Sequence, residues 1–150
     1  MDTCVQLHTE LPTFRLPDVH GHEISLWDYK QQQPVVLVFC NADCEAILRS
    51  FAERYADYRD AGAEVLAIVP QLPPTASQWP FPVLIDVGGR ISARYVENAP
   101  AVLVLDSYNT LHQRLDGPWP DGIDHRRLVS KIRELELQCP ECGAPAWPEA

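Results

Sequence analysis

The sequence predicts an α/β fold, with a central mixed β-sheet, flanking helices and an N-terminal β-hairpin. Three segments rich in apolar residues, 35–40, 63–69 and 98–106, are typical of buried strands. Between the first two, apolar residues recur at helical spacing, so the order strand, helix, strand implies a right-handed parallel crossover. Residues 110–115 follow a turn after the third segment and predict an antiparallel neighbour, which makes the sheet mixed.

Turn residues and helical periodicity define the elements at the two ends of the fold. Two short extended segments, 11–14 and 16–26, predict the hairpin, with a turn at His20-Gly21. A last helix is predicted over residues 121–137 because its apolar residues fall on one face. We therefore expect one domain over residues 1–137 and a C-terminal tail over residues 138–150.

Composition restricts the classes of function. The chain has 150 residues and a formal net charge of −9, which argues against nucleic-acid binding, since that needs a basic surface. The N-terminus has no basic region followed by an apolar run, and no apolar stretch is long enough to span a membrane. We expect a cytoplasmic protein that binds neither membranes nor nucleic acids. Its five cysteines are then better interpreted as thiols, metal ligands or redox groups than as disulfides.

The stretch after the first buried strand is the best candidate for chemistry. Asp43 is a good N-cap residue and Gly62 can end a helix in the left-handed conformation, so the spacing predicts one helix between them. Cys44 would then lie in the first helical turn, where free N–H groups and the helix dipole favour a thiolate. Asp43 and Glu45 flank this cysteine and oppose that effect. The alternative interpretation is a small apolar residue packed beneath the helix.

Four segments resemble one known superfamily. They correspond to its opening hairpin, its strand before the active site, a stretch with recurring Phe-Pro, Leu, Asp and Tyr, and the strand entered through the active-site proline. In this chain they read LPTFRLPDVHGHEISLWDY, PVVLVFCNADC, FPVLIDVGGRISARYVE and APAVLVLD, and together they span residues 11–106. The chain thus resembles a thioredoxin-like redoxin of the alkyl hydroperoxide reductase/thiol-specific antioxidant (peroxiredoxin-like) type.

The resemblance implies roles for individual residues. The distance from Phe39 to Cys44 is that between the strand-end Phe and the nucleophilic Cys of thioredoxins, and Pro100 falls at their cis-proline. Peroxiredoxins place their reactive Cys after a Pro-x-x-x-Thr/Ser-x-x-Cys motif, which this region lacks, and usually carry Arg where Pro100 stands. Ile47 occupies the position of the second Cys of the thioredoxin motif. A lone cysteine can form a mixed disulfide or a sulfenic acid, but another thiol must resolve it.

The C-terminal tail contains a Cys-Pro-x-Cys-Gly sequence at Cys139 and Cys142. Such a turn resembles one zinc knuckle, but a structural zinc needs four ligands. The others would come from a second subunit or from Cys4, His8 or His125, at spacings that support none of them. Alternatively, the tail pair could reduce the oxidised nucleophile, or it could be two exposed thiols without a role.

We therefore expect a thiol-dependent oxidoreductase, or a slow thiol peroxidase, that uses Cys44 as its single nucleophile and Pro100 to shape the site. Its partners would be a thiol reductant or a disulfide-bearing protein, with peroxide as a further substrate and a homodimer as the assembly. No cofactor is required by this chemistry, although zinc at Cys139 and Cys142 is an option. The alternative is a non-catalytic domain whose tail cysteines bind zinc or mediate assembly.

Overall fold

A computed structural model of the chain describes residues 7–41, 45–71 and 78–137. Within these ranges the chain forms a two-stranded hairpin, a five-stranded sheet and three α-helices. The strands are β1 (Arg15–Pro17), β2 (Glu23–Ser25), β3 (Val35–Phe39), β4 (Glu64–Val69), β5 (Val83–Ile85), β6 (Ala101–Leu105) and β7 (Leu111–Asp116). The helices are α1 (Glu45–Glu53), α2 (Tyr55–Asp60) and α3 (His125–Leu137).

The predicted mixed sheet is confirmed. The strands lie in the order β5-β4-β3-β6-β7, so β3 is central. It pairs in parallel with β4 and antiparallel with β6, while β7 pairs antiparallel with β6. The hairpin of β1 and β2 is also confirmed, although it is shorter than the segments that predict it. It ends at Ser25 because this residue caps a 3₁₀ helix, Leu26–Tyr29, together with Asp28.

The two faces of β3 bury different layers of the fold. Val36 and Val38 face the core that α1, α2 and α3 cover. Val35, Leu37 and Phe39 face a second core, which the hairpin segment and the 3₁₀ turns cover. The alternation follows from the period of two residues in a strand. All five residues are apolar because neither face of this strand meets solvent.

The prediction of a single helix between Asp43 and Gly62 is wrong in one respect. The chain forms two helices, α1 and α2, with a break at Arg54. The backbone of Arg54 leaves the helical region (φ −111°, ψ 8°). Directly after this break, the Tyr55 hydroxyl donates a hydrogen bond to Glu64 at 2.6 Å. The end of the segment is as predicted, since Gly62 has a left-handed φ of 92°.

The last helix begins later than expected, at His125 rather than near residue 121. Gly122 adopts a left-handed φ of 94°, which interrupts helical geometry, and the Asp124 carboxylate then accepts the backbone N–H of Arg127 at 3.1 Å. Once started, the helix buries the predicted apolar face, which consists of Leu128, Ile132 and Leu135. The last helix therefore packs on the sheet as its periodicity indicates.

Candidate functional site

Strand register brings three chain segments together at the carboxyl end of β3. Phe39 lies opposite Ala101 in β6, and Ala101 lies opposite Asp116 in β7. The residues that follow this row outward are Cys40, Pro100 and Gly117. Pairing continues one step further, because the Gly117 N–H donates to the Pro100 carbonyl at 2.8 Å. Ligands in α/β sheets commonly bind beyond the carboxyl ends of strands, and Pro100 lines a pocket at this end of the sheet.

A pocket of about 270 Å³ opens above this row. It lies between α1 and the connection from β7 to α3, with Pro100 between them. Residues from each of these elements line it, among them Asn41, Ile47, Ser50, Pro100, Trp119 and Ile123. Asn41 and Ser50 supply polar side chains to the described lining, Trp119 adds an indole N–H, and no described lining residue is charged. The pocket is thus an apolar cleft with three neutral hydrogen-bonding side chains.

Pro100 has the geometry that the resemblance implies, since the Ala99–Pro100 peptide bond is cis. The sulfur against which this proline would pack belongs to a residue that the structure does not describe. Cys44 belongs to residues 42–44 and lies outside the described residues, so its role as nucleophile stays a prediction. Its two flanking segments are described, and Asn41 on one side and Ala46 on the other both line the pocket.

The charge next to Cys44 differs from the one that the sequence suggests. Glu45, which was expected to oppose a thiolate, forms an ion pair with Arg49 at 2.8 Å, one helical turn further along α1. The pair is exposed, so its energy is small, but the positive charge offsets the negative one beside the helix start. Cys40 is buried on the helix-covered face of the sheet, as a small core residue is expected to be.

A buried histidine connects the pocket wall to the core. Ser50 Oγ lies 2.6 Å from His125 Nε2, and Tyr58 Oη lies 2.8 Å from His125 Nδ1. Phe51 packs edge-on against the imidazole, with ring centroids 4.7 Å apart. Both ring nitrogens are therefore engaged, and Ser50 is the member of this group that also lines the pocket.

Burial fixes the protonation states in this group. Burial, together with the Arg54 charge, lowers the pKa of His125 to about 4, although Asp124 and Asp57 act in the opposite direction. Burial also raises the pKa of Tyr58 far above its ordinary value. At neutral pH the imidazole and the phenol are therefore both neutral, and hydrogen bonding rather than charge holds them together.

The predicted metal site is not decided by the structure. Cys139, Cys142 and Cys4 lie outside the described residues. In the part of the chain that is described, no group of three His, Cys, Asp or Glu could hold a metal ion. His125 is poorly suited as a zinc ligand because Ser50 and Tyr58 already occupy its two nitrogens.

Comparison with protein families places most of the chain in one family. The model of the AhpC/TSA family matches residues 7–114. The chain belongs to the AhpC/TSA family. The match begins before the hairpin and ends within β7, so it includes α1 and Pro100 but not the pocket residues Trp119 and Ile123. It confirms the resemblance of residues 11–106 to redoxins of this type.

Solved structures confirm the fold. The chain resembles the reduced 2-Cys peroxiredoxin of Plasmodium vivax with a TM-score of 0.75 and 16% identity, over 88% of this chain and 82% of that one. It resembles the mitochondrial 2-Cys peroxiredoxin of Plasmodium falciparum with a TM-score of 0.72 and 14% identity, over 89% and 95% respectively. A search of curated proteins gives no match. Within the described ranges, no helix combines the length and apolar character needed to cross a membrane.

Sequence reasoning missed several residues of this site. Ser50 and Tyr58 are unremarkable positions on a helical face, and His125 was considered only as a distant zinc ligand. Trp119 lies in a short segment between two prolines, which gives no sign of where its ring packs. Only the packing of α3 against α1 and α2 brings these residues together.

Proposed function

We propose that the chain is a thiol-dependent oxidoreductase that reduces disulfides or peroxides through Cys44. The observation that carries this proposal is the pocket beside cis-Pro100, which is lined by residues on both sides of position 44. Membership of the AhpC/TSA family supports the same class of chemistry. The proposal assigns Cys44 as nucleophile and Pro100 as the residue that shapes the thiol site.

The start of α1 supports an activated thiol. Cys44 directly precedes Glu45, the first residue of this helix, and α1 is long enough to present a dipole and unsatisfied N–H groups there. Such a position lowers a thiol pKa and makes the thiolate available near neutral pH. The Arg49 partner of Glu45 reduces the opposing charge.

Both reactions balance with a thiol as co-reactant. With a disulfide, the Cys44 thiolate attacks one sulfur, a new S–S bond forms, and the second sulfur leaves as a thiolate. With a peroxide, the thiolate attacks one oxygen, the O–O bond breaks, and a sulfenic acid and an alcohol or water result. A second thiol then forms a disulfide with Cys44 and releases water. A further thiol, from a reductant or from the Cys139–Cys142 pair, restores the free thiolate.

The composition of the pocket favours disulfide exchange over fast peroxide reduction. A peroxide needs stabilisation of the charge that develops on its leaving oxygen, which a nearby cation supplies. The described lining of this pocket contains no Arg, Lys or His, and Pro100 stands where peroxiredoxins usually carry Arg. Peroxide reduction by this chain is therefore proposed to be slow, with a thiol reductant or a disulfide-bearing protein as the main partner.

Intact mass spectrometry with thiol trapping tests the proposal. The reduced protein is treated with a small excess of hydrogen peroxide or of a chromogenic aryl disulfide, and modified cysteines are mapped. We expect modification at Cys44 and its loss in Cys44→Ser. The matched control is Cys40→Ala, which removes the nearby buried thiol and should leave the reaction in place. Equal reactivity of the Cys44→Ser protein would reject Cys44 as the nucleophile and favour the non-catalytic alternative.

A further inference from the structure

The pocket lining contains a hydroxyl, that of Ser50, whose hydrogen bonding is set by residues of the core. We propose that Ser50 donates its hydroxyl hydrogen to a backbone carbonyl of a peptide ligand in the pocket, with His125 and Tyr58 as positioning residues. This inference rests on the proposed function, since a disulfide-bearing peptide is the substrate that it describes.

The phenol of Tyr58 donates a hydrogen bond to His125. Its side chain is 0% exposed, so its O–H must find an acceptor inside the protein. Of the residues that the structure describes, the acceptor within hydrogen-bonding distance is His125 Nδ1, at 2.8 Å. A buried hydroxyl that donates to nothing is costly, so Tyr58 donates and Nδ1 accepts.

The imidazole of His125 accepts a hydrogen bond at one nitrogen and donates one at the other. His125 is 7% exposed and neutral at pH 7, so it carries one hydrogen on its two nitrogens. Because Nδ1 accepts from Tyr58, the hydrogen lies on Nε2 and points at Ser50 Oγ, 2.6 Å away. The direction of donation therefore runs from Tyr58 through His125 to Ser50.

Ser50 accepts one hydrogen bond and still has its own hydrogen to donate. Its oxygen already accepts from Nε2–H, and its own O–H has no second partner among the described residues. Ser50 lines the pocket, and the walls around it are apolar, including Ile47 and Trp119. The unused hydrogen therefore faces the ligand space. A ligand oxygen placed there would complete the hydrogen bonding of the hydroxyl.

The position of Ser50 selects an extended ligand. Ser50 lies five positions after Glu45 in α1, which corresponds to about 7.5 Å along the helix axis at 1.5 Å per residue. A small peroxide that reacts at the helix start cannot span this distance. A peptide can, because neighbouring residues of an extended chain are spaced at about 3.3 Å. An apolar cleft with a hydroxyl donor at Ser50 thus fits a peptide with small or apolar side chains.

Nitrogen NMR of His125 tests the direction of donation without any activity assay. In the folded protein at pH 7, we expect Nε2 to carry the hydrogen and Nδ1 to be an acceptor. In Tyr58→Phe the donor to Nδ1 is lost, and we expect the hydrogen to move toward Nδ1. Observation of a protonated Nδ1 in the parent protein would overturn the inference, because Ser50 would then donate to the imidazole instead of to the pocket.

Calorimetric titration with a short alanine-rich peptide, whose central cysteine is S-methylated, tests the ligand class. The titration uses the Cys44→Ser protein, so no chemistry interferes. We expect Ser50→Ala to weaken binding about three- to tenfold, the loss of one neutral hydrogen bond. Ser50→Thr, which keeps the hydroxyl, should restore most of the affinity, and Ser130→Ala on the exposed side of α3 is the matched control.

The outcomes separate this inference from the proposed function. If Cys44 proves unreactive while the tautomer and the Ser50-dependent peptide affinity are as expected, the proposed function fails and the peptide site stands. If the parent binds no peptide, or binds it equally well after Ser50→Ala, the assignment of Ser50 is wrong whatever Cys44 does.

Discussion

Gly117 packs so closely against Pro100 that no side chain would fit at position 117. A Cβ atom on Gly117 would lie 2.7 Å from Pro100 Cγ and 3.0 Å from the Pro100 carbonyl oxygen. It would also lie 3.1 Å from the ring of Trp119. Glycine is therefore needed here for close approach, which allows the strand after Pro100 and the segment before α3 to meet at the pocket.

Replacement of this glycine should disturb the pocket as well as the fold. We expect Gly117→Ala to lower the free energy of unfolding by about 1–3 kcal/mol, because Pro100 and Trp119 must move to accommodate the methyl group. Since Pro100 lines the pocket, the alkylation rate of Cys44 should also change. Urea unfolding and timed alkylation measure the two effects.

Gly122→Ala is the matched control for this prediction. Gly122 also lines the pocket, but a Cβ there meets nothing within 4 Å, and the cost comes from its left-handed φ of 94°. We expect a loss of about 1 kcal/mol with a smaller change in thiol reactivity. If the two variants changed the alkylation rate of Cys44 equally, the close contact between Gly117 and Pro100 would not be the cause of the change.

Protonation of His125 should destabilise the protein in mild acid. Its pKa is lowered in the fold to about 4 from 6.5, so the unfolded chain binds a proton more readily than the folded one. The stabilising effect of the neutral imidazole is complete above pH 6.5 and is lost as the pH falls toward 4. Between pH 7 and 5 we expect a loss of about 2 kcal/mol in the free energy of unfolding.

Comparison with His125→Asn isolates this contribution, because the two proteins share every other ionisable group. The variant should be less stable at pH 7, since it leaves the Tyr58 hydroxyl or the Ser50 hydroxyl without its partner. Its stability should then change less between pH 7 and 5 than that of the parent. Parallel pH profiles in urea unfolding would show that His125 protonates without cost.

Asp106 should matter for stability and not for the pocket. Its carboxylate accepts the N–H groups of Tyr108 at 2.8 Å and Thr110 at 3.0 Å, and lies 2.8 Å from His112 Nε2. These contacts hold the turn between β6 and β7, at the opposite end of β6 from Pro100. We expect Asp106→Ala to cost about 1–3 kcal/mol in thermal unfolding. A change in the alkylation rate of Cys44 at a temperature where the variant is folded would count against this separation.

The C-terminal tail should be dispensable for folding. The buried apolar residues of α3 in the described part of the chain, Leu128, Ile132 and Leu135, all precede position 138. We therefore expect a chain that ends at residue 137 to keep its helical circular dichroism and a cooperative unfolding transition.

Zinc content, measured on the full chain and on Cys139→Ser, tests the metal alternative separately. A bound equivalent that disappears in the variant would assign zinc to the tail.

Local patterns were sufficient to predict most of the fold. The apolar run of β3, the helical face of Leu128, Ile132 and Leu135, and the glycine at position 62 each encode their conformation in neighbouring residues. The break at Arg54 was not predictable in this way, because the residues on both sides of it continue the same helical period. Contacts of Tyr55 and Tyr58 with other parts of the chain accompany it.

The sequence by itself determined the α/β order, the family resemblance, and the positions of Cys44 and Pro100 as candidates, because these depend on residues close together in the chain. Only the tertiary structure brought Ser50 to within 2.6 Å of His125, across 75 positions, and Gly117 against Pro100. Strand register and helix packing set such distances, and neither leaves a local signal in the sequence. The shape and hydrogen bonding of the pocket are therefore properties of the folded chain.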